Sequence, residues 1–390
     1  MSGTNAAVVV GSSVAGIRTA QALCSAGYDG EVLVLGEETV VPYDRPPLSK
    51  AVLVGAADAA DAPLLRAGSE FTVRLGARVV AVDVAAAEVE LADGERVGYR
   101  ELVVATGAVP RQAPWGRPAG THELRTAADA TALRADLARG GPLVVVGAGM
   151  IGSEVAASAR TLGIEVTLVD PLPAPAVRVV GAPAGALLAD LHRGHGVALH
   201  LGVGVSAIER GRVTLTDGTV LPASAVVVGI GTAPATDWLA DSGLRLHDGL
   251  VCDPSGRCVP GVWAVGDVAR WTHPGGSARY EHWTAATDQA ALVGRNIARG
   301  ERTAYVPREY VWSDQYDWKL QVAGRPAAAV DHTVIGDPAD GVFAVVGTDP
   351  HGLPTGVVAV NWPRAMLTAR RFPDAPDLVG RITDALGARS

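Results

Sequence analysis

Two glycine-rich turns and one isolated lysine carry most of the chemical potential of this chain. Val8-Val9-Val10 runs into Gly11-Ser12-Ser13-Val14-Ala15-Gly16, and Leu143-Val144-Val145-Val146 runs into Gly147-Ala148-Gly149-Met150-Ile151-Gly152. In each, a short apolar strand breaks at a glycine, and small residues recur at the spacing that lets backbone approach a pyrophosphate. Gly11 allows the tight turn, and Gly16 lets the following helix lie close to the strand. Ser13 stands where a middle glycine is usual, yet is small enough to keep the approach. The helix that follows each turn offers unpaired N–H groups and a positive dipole end to phosphates. One such turn is a weak signal; two complete copies point to two bound dinucleotides.

Further candidates lie at strand ends. Glu37 follows the strand Glu31 to Leu35, about 20 residues past Gly16, where a carboxylate accepts hydrogen bonds from an adenosine ribose. The second unit repeats this with a strand from Glu165 to Val169 that ends in Asp170. Ala105-Thr106-Gly107 and Gly229-Ile230-Gly231 close later strands with small residues, which lets backbone lie near a ligand. Asp267, after Gly261 to Gly266, is placed either to accept a hydroxyl from a sugar or ribityl chain or to cap the next segment. Lysine is almost absent: Lys50 and Lys319 are the only two, against 31 arginines. Lys50 reads either as a surface helix residue or as a cation held beside a cofactor's reactive edge.

The elements that position these residues form an internal duplication. Each half reads as a nucleotide-binding βαβ unit, a hairpin insert and a closing strand that ends in glycine. The inserts are marked by Asp93-Gly94, at the end of alternating strands from Phe71, and by Asp217-Gly218. Before the first insert, Pro42 to Lys50 starts as a rigid extended entry, and Leu48-Ser49-Lys50 is expected to open a helix. Arg111 to Gly120 reads as a linker. From about Tyr305 aromatics concentrate, as in Tyr310-Val311-Trp312-Ser313-Asp314-Gln315-Tyr316, and alternating strands follow at 330–335 and 342–346. That run is either core or a platform beside a flat cofactor. The expected class is α/β, with two Rossmann-like dinucleotide-binding domains and a C-terminal α+β domain.

Bulk properties narrow the function. A chain of 390 residues with 48% hydrophobic and 5% aromatic content fits two or three packed domains. A net charge of −8 argues against nucleic-acid binding. No apolar run approaches a membrane span of roughly 18 residues. The N-terminus enters a strand without a basic stretch, so no signal peptide and a cytoplasmic location are expected. No metal site is expected. Cys24, Cys252 and Cys258 form no C-x-x-C or C-x4-C pair, and a turn could bring Cys252 near Cys258, as redox partners or as reduced structural thiols.

These motifs resemble the FAD-dependent, NADH-using ferredoxin reductases that feed bacterial cytochrome P450s and Rieske-type dioxygenases, proteins with the three-domain glutathione reductase fold. The resemblance rests on both glycine turns, PYDRPPLSK at 42–50, Ala105-Thr106-Gly107, Leu124-Arg125-Thr126, Ala264-Val265-Gly266-Asp267, Glu281-His282-Trp283 and WSDQY at 312–316. It implies an FAD domain at 1–112 and 237–303, an NAD domain at 113–236 and a C-terminal domain at 304–390. It implies FAD contacts at Ala15, Glu37, Arg45, Lys50, Val79, Arg125, Asp267 and Trp283, with Trp312 also beside the cofactor. Lys50 would lie near flavin N5 and close to Glu154, forming the catalytic pair. Gly147, Gly149, Ile151, Gly152, Glu154, Asp170 and Gly231 would hold NADH, the Asp170 carboxylate binding a ribose 2′-OH and repelling a 2′-phosphate. Ala235 and Val311 depart from the usual pattern.

The resemblance implies electron transfer from NADH through FAD to a [2Fe–2S] ferredoxin that serves a P450 or Rieske oxygenase. No cysteine pair precedes the PPLSK segment, so a dithiol exit is closed and electrons must leave singly. Residues 301–390 hold nine Arg/Lys and eleven Asp/Glu, so docking of an acidic partner needs a local basic patch, with Arg308, Lys319, Arg325 and Arg364 as candidates. The protein is expected as a monomer or homodimer. Two other readings remain open: an NADH oxidase or quinone reductase, and a nucleotide-sensing protein resembling apoptosis-inducing factor.

Overall fold

The computed structural model describes residues 5–65 and 68–387. They gather into two compact units, one of residues 5–44, 59–65, 68–109 and 232–307, the other of residues 45–58, 110–231 and 308–387.

The first unit is built on a six-stranded sheet. Its centre is Ala7–Val10, flanked in parallel by Val32–Leu35 and Glu101–Val104. These strands are continuous runs of Val and Leu because a parallel sheet covered on both faces has no solvent side to make polar. The sheet extends through Val262–Ala264 and Arg257–Val259 at one edge and Thr72–Arg74 at the other. That last strand corrects the sequence reading: it pairs in parallel with Val32–Leu35 and belongs to the main sheet. The insert proper is a three-stranded antiparallel sheet of Val79–Asp83, Glu88–Leu91 and Arg96–Gly98.

The second unit contains three sheets. A parallel sheet runs in the order Ala198–Leu201, Val166–Asp170, Leu143–Val146, Ala225–Val228 and Thr121–His122. It carries its own three-stranded insert, Val205–Glu209, Arg212–Leu215 and Val220–Pro222. The C-terminal sheet is antiparallel, in the order Tyr310–Gln315, Trp318–Gly324, Pro354–Val360, Val342–Thr348 and Asp331–Asp337. Helices Pro363–Arg371 and Leu378–Gly387 follow it. The parallel sheet has a core around Leu133, Leu143 and Leu168; the C-terminal sheet packs one set of side chains around Trp362, and another, with Phe343 and Val358, against Val180 and Leu188.

Pro46–Ser49 is a single turn of 3-10 helix that closes immediately before Lys50. The expected helix opening at Leu48 to Lys50 is therefore a helix ending. Paired prolines supply fixed φ at the start of such a turn, where their missing N–H groups would have had no helical acceptor. No helix among the described residues is long and apolar enough to cross a membrane.

Candidate functional site

In the first unit the glycine turn is built by close backbone approach. Gly11 has φ +115°, and a Cβ there would stand 2.3 Å from the Ala105 carbonyl oxygen. A Cβ on Gly16 would stand 1.8 Å from the Gly11 oxygen. Only glycine fits either place. Ser13 is the N-cap of helix Val14–Ser25, makes no side-chain cap bond, and no acid lies in the first turn. The helix thus supplies neither a side-chain cap nor a carboxylate for its leading N–H groups, which suits an external anion.

Other predicted residues converge on this edge. The Gly11 N–H donates to Leu35 O at 2.8 Å, which brings the end of Val32–Leu35, and so Glu37, to the turn. Glu37 is 71% exposed and faces Arg78 at 3.5 Å, next to Val79. The Ala105 N–H donates to Val10 O at 2.8 Å. The Thr106 hydroxyl donates to Ala235 O at 2.9 Å, and the Ala235 N–H returns to Gly107 O at 3.0 Å. Ala235 therefore fastens the Ala105-Thr106-Gly107 strand end. Gly266 lies against Ala15, where a Cβ would come within 2.9 Å, and Asp267 follows in a short 3-10 turn, Gly266–Val268. Trp283 opens helix Trp283–Arg299 and donates its indole N–H to Asp44 at 2.7 Å.

The second unit repeats the turn. Gly147 has φ +105°, and a Cβ on Gly152 would stand 1.9 Å from Gly147 O. Gly149 is the N-cap of helix Met150–Thr161, and a Cβ placed on it would meet nothing within 4 Å. That open volume over the turn fits a phosphate-bearing ligand. Ile151 is 49% exposed on the first turn of this helix. Gly231, φ +100°, follows the neighbouring strand Ala225–Val228, and its carbonyl accepts the Arg111 N–H at 3.0 Å.

Asp170 behaves differently from Glu37. Val10 pairs with Leu35 and Val146 with Val169, so Asp170 stands at the position of Gly36, one residue before that of Glu37. It is only 9% exposed. Its carboxylate accepts the Ala148 N–H at 2.6 Å and the Leu172 N–H at 2.8 Å. Each of its oxygens is thus engaged by the protein's own backbone, which holds the second turn shut.

Lys50 is not a lone surface residue. Its ammonium lies 2.9 Å from Glu154 Oε1, with side chains 20% and 3% exposed. Glu154 also accepts the Ser49 hydroxyl at 2.5 Å on Oε2 and the Ser313 hydroxyl at 2.6 Å on Oε1. The Ser158 hydroxyl, one turn beyond Glu154 on the same helix face, donates to Ser49 O at 2.6 Å. Ser313 in turn accepts from Gln315 Nε2 at 3.1 Å. Ser49, Ser158, Ser313 and Gln315 were missed from sequence. The signals existed: an i, i+4 pair on one helix, and alternation that sends Ser313 and Gln315 inward and Asp314 outward along Tyr310–Gln315. Of the remaining predicted residues in this unit, Arg45 caps the Pro46–Ser49 turn, Arg125 donates its N–H to Asp129 at 3.0 Å, and Trp312 stacks with Tyr310 at 6.2 Å between ring centroids.

The cysteines are free thiols, Cys252 buried and Cys258 half-buried. Burial pushes both thiols up, which disfavours the reactive thiolate.

Residues 5–290 match the family described as pyridine nucleotide-disulphide oxidoreductase, and residues 310–379 match the reductase C-terminal family. Rhodocoxin reductase of Rhodococcus erythropolis is 38% identical over 383 residues, covering 94% of this chain and 88% of that protein. The ferredoxin–NAD(+) reductase component of the p-cumate 2,3-dioxygenase system of Pseudomonas putida is 38% identical over 372 residues, covering 94% and 92%. Among solved structures, a ferredoxin reductase from Rhodopseudomonas palustris superposes with a TM-score of 0.89 at 31% identity, covering 94% of this chain and 93% of that one. The reductase chain in the covalent putidaredoxin reductase–putidaredoxin complex superposes with a TM-score of 0.88 at 32% identity, covering 97% and 93%.

Proposed function

The chain belongs to the pyridine nucleotide-disulphide oxidoreductases, and from that membership we propose that it is a flavoprotein carrying electrons from NADH through FAD to a [2Fe–2S] ferredoxin. The ferredoxin serves a cytochrome P450 or a Rieske-type oxygenase, in the cytoplasm. The observation that carries this reading is similarity over more than nine-tenths of the chain to ferredoxin–NAD(+) reductases.

In this reading the first turn, with Gly11, Ser13, Ala15 and Gly16, holds the FAD pyrophosphate, and Glu37 its ribose. Asp267 takes a ribityl hydroxyl. The second turn, with Gly147, Gly149 and Gly152, holds NADH. FAD, when bound, supplies the conversion of a two-electron hydride into single electrons. The protein's part is orientation and charge. Lys50 presents a cation toward the reduced cofactor, and Glu154 fixes where that cation stands. With Cys24, Cys252 and Cys258 as the only cysteines, none of them beside the Pro46–Ser49 turn in sequence, no dithiol exit accepts the electron pair. The division into an FAD domain (1–112, 237–303), an NAD domain (113–236) and a C-terminal domain (304–390) is part of the same proposal, supported by the distinct cores of the two parallel sheets, although Leu53 packs into the second of them.

The test is NADH-dependent reduction of cytochrome c by the purified protein, with and without an added [2Fe–2S] ferredoxin. A rate that is small alone and rises steeply with ferredoxin is expected. A rate indifferent to every ferredoxin, with fast oxygen consumption, replaces this reading with an oxidase.

A further inference from the structure

Glu154 is one of the few acids in the described chain that is buried, and every contact recorded for its carboxylate comes from a donor. Lys50 and Ser313 share Oε1, and Ser49 holds Oε2. A carboxylate paired with Lys50 can only accept, so the single hydroxyl proton of Ser313 must point at Glu154. The oxygen of Ser313 is then an acceptor, and Gln315 must turn its amide NH2 toward it. The three groups form a one-way chain, Gln315 to Ser313 to Glu154, with Ser313 and Gln315 fully buried.

The chain continues into its support. Tyr316, with φ +56°, ends the strand in a tight turn, and its ring stacks on His195 at 3.7 Å between centroids. Its hydroxyl lies 3.1 Å from Nδ1 of the buried His192. Helix Ala182–Gly194 therefore clamps the turn that carries Gln315.

We propose that Ser313, oriented by Gln315, is the positioning residue that aims Glu154 at Lys50, so that the C-terminal strand Tyr310–Gln315 tunes the charge presented to the flavin. The proposal rests on the flavoprotein reading above, though not on ferredoxin as the acceptor. The physical argument is a competition. Glu154 Oε1 divides its charge between a serine proton at 2.6 Å and an ammonium at 2.9 Å. Without the serine, the lysine takes the whole oxygen, is drawn toward Glu154, and gives less of its field to the reduced flavin. Because Ser313 touches neither cofactor in this reading, binding of NADH should be spared.

The experiment uses the FAD-loaded protein and three variants, Ser313→Ala, Ser313→Thr and Ser313→Cys. Two quantities are read: the midpoint potential of the bound FAD, and the single-turnover rate of its reduction by NADH, beside KM for NADH. Ser313→Ala is expected to make reduction about tenfold slower with KM within twofold of wild type. Its potential should move negative by about 30 mV, the two-electron equivalent of a tenfold factor. Ser313→Thr, which keeps the hydroxyl, is expected to restore both. Should Ser313→Ala fail to retain FAD, Ser313→Cys decides, since its weak donor should show the same negative shift. A wild-type potential and reduction rate in the variant that folds overturns the proposal. Failure of the ferredoxin reading would look different: wild type itself would not respond to ferredoxin, while the shift in potential would persist.

Discussion

The two glycine turns use one backbone design and finish it in opposite ways. In the first, the residue after the second strand is Gly36, and the space that a side chain there would need is taken by Ser12, whose Oγ would lie 2.3 Å from the added Cβ. In the second, Ala148 replaces Ser12 and Asp170 replaces Gly36, and the acid fills the gap by accepting the Ala148 N–H at 2.6 Å. The acid of the first turn, Glu37, is one residue further on and 71% exposed, and Pro171 holds that register position in the second. The first turn is locked by glycines and leaves its acid exposed. The second is fastened by its acid. Similar turns in one chain can thus leave an acid exposed or tie it to the backbone, according to a shift of one position.

The comparison can be broken most sharply at the glycines. Gly16→Ala forces a Cβ to 1.8 Å from a carbonyl oxygen, and a loss of more than about 3 kcal/mol, with no retained flavin, is expected. Gly149→Ala meets nothing within 4 Å, so it should fold and keep its flavin while raising KM for NADH about tenfold, or roughly 1.4 kcal/mol. Flavin content and thermal unfolding of the two variants read this directly. A stable, yellow Gly16→Ala protein would refute the close-approach account.

Acid offers a way to loosen the second unit selectively. Burial pushes the His192 imidazole down from 6.5 to about 4. Between those values the unfolded chain takes up a proton that the folded chain refuses, so stability falls as pH drops from 6.5 to 4 and then levels. The loss is on the order of 3 kcal/mol. The amide protection factors in helix Ala182–Gly194, corrected for the intrinsic pH dependence of exchange, should fall across that window, and His192→Gln should flatten the dependence.

Asp170→Ala tests the fastening role. It leaves the Ala148 and Leu172 N–H groups without their acceptor, and a loss of about 1–3 kcal/mol is expected, with flavin content unchanged. If stability were untouched and only NADH affinity fell, Asp170 would be a ribose ligand rather than a fastener. The smallest effect on stability belongs to Glu37→Ala. Its pairing with Arg78 is exposed on both sides, so unfolding should shift by less than about 0.5 kcal/mol. In the proposed function the loss appears instead as faster FAD release, read by fluorescence of the freed cofactor.

Legibility followed locality. Both turns, the closing strands, the Asp217-Gly218 hairpin and the C-terminal strands were readable because their signals are a few residues long and depend on neighbours in sequence. Thr72–Arg74 was misassigned because short alternating strands look alike whether they pair with an insert or with the main sheet. Lys50 stood out by composition alone, yet its partner Glu154 is reached by its other donors, Ser49 and Ser313, across sequence separations of 105 and 159 residues.

What the amino-acid order determined by itself was therefore the fold class, the duplication and the dinucleotide chemistry, since glycine spacing, apolar runs and turn residues act through local sterics. Tertiary structure alone decided register and company. Pairing Val146 with Val169 turned Asp170 inward, and packing the helix Met150–Thr161 beside Pro46–Ser49 and Tyr310–Gln315 buried Glu154 among three donors. A buried charge is tolerable only where distant segments bring their donors to it, and that condition is set by the packed chain as a whole.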